Sequence, residues 1–197
     1  MIEFRYTGDE LYGRMERAVE KVNQRLRRTV EILENAKLPY AIVGGHAVRA
    51  WVAQVDEAAT RTTRDVDVLI RPKDLPAVRS AMEAAGFHYR QTMGLNMFTD
   101  HPDSPTRDAV HIVMCGEMVR PDDIEPNPDI EPGTRADRFR TLTLEQLVRM
   151  KLNSFRRKDQ VHLLDMIEVG LIDRQWTAKF PPALAERLQE LLDDPDG

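Results

Sequence analysis

Apolar residues near the start of the chain recur at three- and four-residue steps: Leu11, Met15, Val19, Val22, Leu26, Val30 and Leu33, with Arg and Glu at many positions between them. That period is the stripe of a helix with one buried side, so a long amphipathic helix is expected from about Asp9 to Ala36. Arg25, Arg27 and Arg28 fall on its charged side, which reads as a solvated face or as a face for RNA or a partner. After Lys37-Leu38-Pro39 the pattern changes. Tyr40-Ala41-Ile42-Val43 is a short apolar run that stops at Gly44-Gly45, and Val48, Trp51, Val52 and Val55 then return to helical spacing. A polar stretch from Glu57 to Arg64 delivers Asp65-Val66-Asp67 into Val68-Leu69-Ile70. Residues 40 to 70 are thus expected to run strand, glycine turn, helix, loop, strand.

Further along, Asp74-Leu75-Pro76 opens a helix with Val78, Met82 and Ala85 inward, and Gly86 stops it. Short strands at 87–90 and 95–98 are joined through Gly94, and another spans 109–114. From Val119 to Asp137 the prolines 121, 126, 128 and 132, with Gly133, mark a long irregular connection or lid. Its acids Asp122, Asp123, Glu125, Asp129 and Glu131 read as solvated loop charge. Thr143-Leu144-Glu145-Gln146 has the form of a capping box for a helix carrying Leu147, Met150 and Leu152. A charged segment from Phe155 to Asp165 follows, and Pro181-Pro182 precedes a last helix carrying Leu184, Leu188, Leu191 and Leu192; residues 193–197 should fray. The fold class is α/β (α+β): a mixed sheet of four or five strands with flanking helices, a long N-terminal helix and a helical C-terminal part. Residues 1–138 would form the core with its N-terminal helix, and 139–197 the C-terminal helical region.

Composition narrows the setting. A chain of 197 residues with 42% hydrophobic and 31% charged content suits one ordinary globular domain able to bury a core. A formal charge of −5 gives no overall basic signal, so any nucleic acid would have to meet a local patch. The single Cys115 excludes an internal disulfide. No signal-peptide pattern or membrane-length apolar run is evident, and a cytoplasmic location is expected.

The chemistry gathers in 40–70. Side chains on a strand alternate, so Asp65 and Asp67 share a face. Two such charges about 4 Å apart repel by about 4 kcal/mol at an effective dielectric of about 20, which a cation or a shared proton would relieve. Oxygen-only ligands favour Mg2+ or Mn2+, which take further ligands from water and nucleotide phosphates. Gly44-Gly45 allows close backbone approach, and the first turn of the next helix offers unpaired N–H groups to phosphate. His46 can donate to a phosphate or simply cap the helix, and Thr63 can hold a phosphate or a metal-bound water or be a strand-edge threonine.

A glycine turn followed by Asp-x-Asp on a neighbouring strand resembles the nucleotidyltransferase superfamily. Gly44-Gly45 and Thr63-Arg64-Asp65-Val66-Asp67 are most similar to its abortive-infection toxins, as is the Arg-x-Lys-Asp pattern at Arg156 to Asp159 with Asp165. The resemblance implies a metal-dependent transfer of a nucleoside monophosphate from an NTP to a hydroxyl acceptor, whether tRNA, protein or small molecule. It implies metal ligands and catalytic residues Asp65 and Asp67, with a third carboxylate on a later strand; here His111 stands at that place, with Asp108 just before it at opposite parity. It also implies a lysine for the phosphates, matched by Lys151, with Arg157, Lys158 and His162 either lining the cleft or paired to Asp159 and Asp165. The missing carboxylate leaves open a catalytically inactive nucleotide- or partner-binding protein of the same fold, or a toxin-antitoxin component with an antitoxin-like partner.

Overall fold

The computed structural model describes residues 5–121, 123–131, 135–136 and 138–195. Within the connection expected from 119 to 137, Asp122, Pro132, Gly133, Thr134 and Asp137 lie outside the described residues, as do the first four and last two residues of the chain.

Five strands form one mixed sheet: β1 (Ala41–Val43), β2 (Val66–Ile70), β3 (His88–Thr92), β4 (Leu95–Thr99) and β5 (Ala109–Met114), in the order β1-β2-β5-β4-β3. β2 and β5 run parallel and the other neighbours antiparallel. Alternation along these strands makes two cores. Ile42, Val66, Val68 and Ile70 pack with the helices α1 (Gly8–Asn35) and α3 (Leu75–Ala84). Ala41, Val43 and Leu69 pack with α2 (Gly44–Val52), α4 (Leu144–Ser154), α5 (Arg157–Glu168) and α6 (Pro182–Asp193). The capping box of α4 is complete, with Thr143 Oγ1 accepting from Gln146 N–H and Gln146 Oε1 accepting from Thr143 N–H. A short hairpin, β6 (Arg135–Ala136) with β7 (Phe139–Arg140), precedes it.

Three expectations change. The first half of α1 leaves Leu11, Tyr12 and Met15 exposed, while Arg25, on the side expected to be solvated, is buried. Its guanidinium pairs with Asp100 at 2.9 Å; Arg28 shares that carboxylate and lies 4.2 Å over the Phe87 ring. A planar cation on an apolar stem suits such a half-dry seat, so these arginines fasten α1 to the turn after β4. α2 ends at Val52, which leaves Val55 exposed beyond its stripe. The acids of the 119–131 segment are engaged rather than free: buried Asp123 accepts from the Val119 and Arg120 N–H groups, Glu125 pairs with Arg149, and Asp129 with Arg71. Among the described residues no helix is long and apolar enough to cross a membrane.

Candidate functional site

The sheet register decides what meets at the site. Val43, the last residue of β1, lies opposite Asp67, and Asp67 lies opposite His111 on β5. The turn from β1 into α2 therefore begins beside Asp67. Gly44 takes φ +68°, a left-handed conformation that favours glycine, and a Cβ there would lie 1.9 Å from Asp67 Oδ2. A Cβ on Gly45 would lie 2.7 Å from Thr63 Oγ1. Both glycines are needed for contact: the backbone at the start of α2 rests directly on the acid and the hydroxyl.

Each carboxylate has a cationic neighbour. Lys158 Nζ of α5 donates to Asp65 Oδ2 at 3.1 Å. His111 Nδ1 is 3.5 Å from Asp67 Oδ1, and its Nε2 is 3.1 Å from the Thr106 carbonyl. Both ring nitrogens thus face acceptors, an arrangement that favours the doubly protonated ring. The bond to Asp67 raises the His111 pKa above 6.5 despite burial, which opposes it. For Asp67, burial pushes upward, but the hydrogen bond and charge of His111 outweigh it and hold the carboxyl below its usual range. Repulsion within the acidic pair is therefore relieved by protein cations.

Thr63 precedes β2 in the loop rather than on the strand, and its buried Oγ1 has no hydrogen-bond partner among the described residues. His46 is buried with its Nε2 unpartnered, and burial followed by the charge of Arg49 brings its pKa down to about 4. His162 on α5 is also buried with Nδ1 unpartnered; burial and then Lys151 lower it to about 4. Lys151 is buried and donates to Asp159 at 2.8 Å, where Ser154 and Arg156 donate too. Burial alone would raise the Asp159 pKa; the Lys151 charge and the Arg156 bond lower it strongly. Asp108 sits in the turn before β5, 3.8 Å from Lys21 of α1, on the opposite parity from His111.

The structure thus gathers Gly44, Gly45, Thr63, Asp65, Asp67 and His111, with buried His46 within their electrostatic reach, while the head of Lys151 is held by Asp159 and Asp108 faces Lys21. Lys158 reaches Asp65 rather than an acid of its own helix, and Asp165 instead receives Arg61 at 2.6 Å. The Arg61 contact was not foreseen, and only its neighbouring Thr62-Thr63-Arg64 tract hinted that this loop belongs to the site.

Among the described residues no group of three or more His, Cys, Asp and Glu is arranged to hold a metal ion. Two hard carboxylates beside a glycine turn do fit Mg2+ or Mn2+, which complete their octahedra with water and phosphate oxygens rather than with an all-protein cage.

No protein-family model matches the sequence, and no curated protein matches it significantly. Among solved structures, an antigenic nucleotidyltransferase-like protein from Paracoccidioides brasiliensis aligns over 90% of both chains at 16% identity and a TM-score of 0.53. The fold is nucleotidyltransferase-like. The antibiotic-resistance factor ANT(2'')-Ia aligns more loosely, at 13% identity and a TM-score of 0.42 over 87% of this chain and 80% of its own. In this nucleotidyltransferase-like fold, β1 with its glycine turn, β2 with its acidic pair and β5 with His111 are adjacent, which is what the register above requires.

Proposed function

We propose that the chain transfers a nucleoside monophosphate from an NTP to a hydroxyl acceptor with release of pyrophosphate. The observation that carries this reading is the contact at Gly44, where the turn backbone and Asp67 Oδ2 approach too closely for even a methyl group. Phosphates accepted by the N–H groups at the start of α2 would lie against the acid. Asp65 and Asp67 are the residues that would hold Mg2+ or Mn2+, which when bound supplies charge to the attacking and leaving oxygens. His111 keeps Asp67 aimed, Thr63 offers a hydroxyl to a phosphate oxygen, and Lys158 is freed for phosphate once Asp65 finds another cation. In the transfer the acceptor oxygen bonds to the α-phosphorus as the α–β anhydride bond breaks. Pyrophosphate leaves with the electron pair and water takes the hydroxyl proton.

Thr63-Arg64-Asp65-Val66-Asp67 and the Arg156 to Asp159 pattern support the toxin-type variant, with a tRNA, protein or small-molecule acceptor and an antitoxin-like partner. One observation favours a second reading, a catalytically silent nucleotide-binding protein: His111, not a carboxylate, faces Asp67. Release of labelled pyrophosphate from NTPs with Mg2+ or Mn2+ separates the two. Transfer predicts turnover that falls about a hundredfold in Asp67→Asn, the scale of losing one electrostatic stabiliser. NTP binding without turnover, across metals and acceptors, would establish the silent protein.

A further inference from the structure

His46 also lines a cleft of about 920 Å3 between α1 and α2, large enough for a ligand of nucleotide size. Leu26, Val30, Ala50 and Phe139 give it apolar walls. Arg49, half-buried, lines it as well as the narrow gap beside Gly45 and Thr63, and its guanidinium makes no hydrogen bond or ion pair among the described residues. The cleft is thus lined by two residues whose polar groups have no partner among the described residues, Arg49 with its guanidinium and His46 with its buried Nε2, and the His46 ring feels the charges of Asp67 and Asp65. Of the arginines around it, Arg27 is already paired with Glu20, so the Arg49 guanidinium is the charge that the cleft offers to an anion.

We propose that this cleft seats the acceptor, a small molecule of about nucleotide size whose phosphate is gripped by Arg49 and whose hydroxyl is presented past His46 to the acidic pair. The inference rests on the nucleotidyl-transfer reading and adds the acceptor's place and class. A neutral polyol would leave Arg49 without a counter-charge, and a cationic acceptor would be repelled by it. The phosphate satisfies the guanidinium by charge-assisted hydrogen bonds.

Calorimetry on the full chain with Mg2+ and a non-hydrolysable ATP analogue tests it, using ribose 5-phosphate and ribose as probes. Ribose 5-phosphate should bind about tenfold or more tightly than ribose, and Arg49→Ala should weaken it about tenfold. Ala53→Trp, at an exposed position on the cleft, should abolish it, and both variants should bind the analogue as the parent does. Equal binding of the two probes, or ribose 5-phosphate binding indifferent to both substitutions, would overturn the assignment. So would binding of the analogue without ribose 5-phosphate, which leaves nucleotidyl transfer standing; failure of the analogue itself to bind overturns both. Tighter binding of a short single-stranded RNA, lost in Ala53→Trp, would replace the small molecule with a polymer end.

Discussion

His111 and Asp67, 3.5 Å apart, tie the charge of the site to pH. The His111 pKa is raised above 6.5, so its contribution to stability is complete below that value and is lost as pH climbs through the folded value. The Asp67 pKa is lowered from 3.8, so its contribution is present above 3.8 and is lost as pH falls through the folded value. Between these limits the pair stabilises the fold most. Urea midpoints of the parent and His111→Gln should therefore differ most between pH 3.8 and 6.5 and converge as pH rises through the raised His111 value, while Mg2+-dependent NTP binding strengthens over the same rise as the imidazolium is discharged. A difference that grows with pH would refute this account. At this scale the placing of Asp67 on β2 and of the glycines at the turn before α2 was legible, because an apolar run and a glycine turn are local rules, whereas Asp65, expected on the same strand, lies just before β2. Lys158 meets Asp65 across 93 residues and Arg61 meets Asp165 across 104, and no local period encodes such meetings.

Among the elements, α4 and α5 are joined by the Lys151–Asp159 pair, buried at both ends. Removing Lys151 leaves Asp159 to Arg156 and Ser154, so Lys151→Met should cost about 1.5–3 kcal/mol in urea unfolding, less than a buried pair broken outright. Were Lys151 chiefly a phosphate ligand, the same variant would lose NTP affinity with its unfolding midpoint unchanged. The helices themselves were readable from apolar spacing, and the α4 start from its capping box. What α1 does with its charged side was not, because Asp100 and Phe87 come to Arg25 and Arg28 only through the tertiary fold. Glu125 and Asp129 looked free in the sequence for the same reason: their partners Arg149 and Arg71 lie far away along the chain.

For the whole molecule, the site draws on distant parts of the chain: Asp67 from β2 and Asp65 from the loop just before it, Lys158 and His162 from α5. A ligand bound at this junction stabilises everything that builds it. Mg2+ with a non-hydrolysable NTP at a hundred times its Kd should add about 2.7 kcal/mol and raise the melting temperature, and Asp67→Asn should remove the rise. A melting temperature indifferent to the pair would count against a nucleotide site. The sheet's two borders carry a separate consequence. On one, Thr141 bridges to Ile42 and donates to its carbonyl at 3.0 Å, closing the three-residue β1 against further pairing. On the other, β3 shows His88, Arg90 and Gln91 in place of an apolar run. Ribbon-like growth of one copy onto another thus finds a blocked margin and a polar one, so clumping through strand addition would first require residues near 141 to peel away.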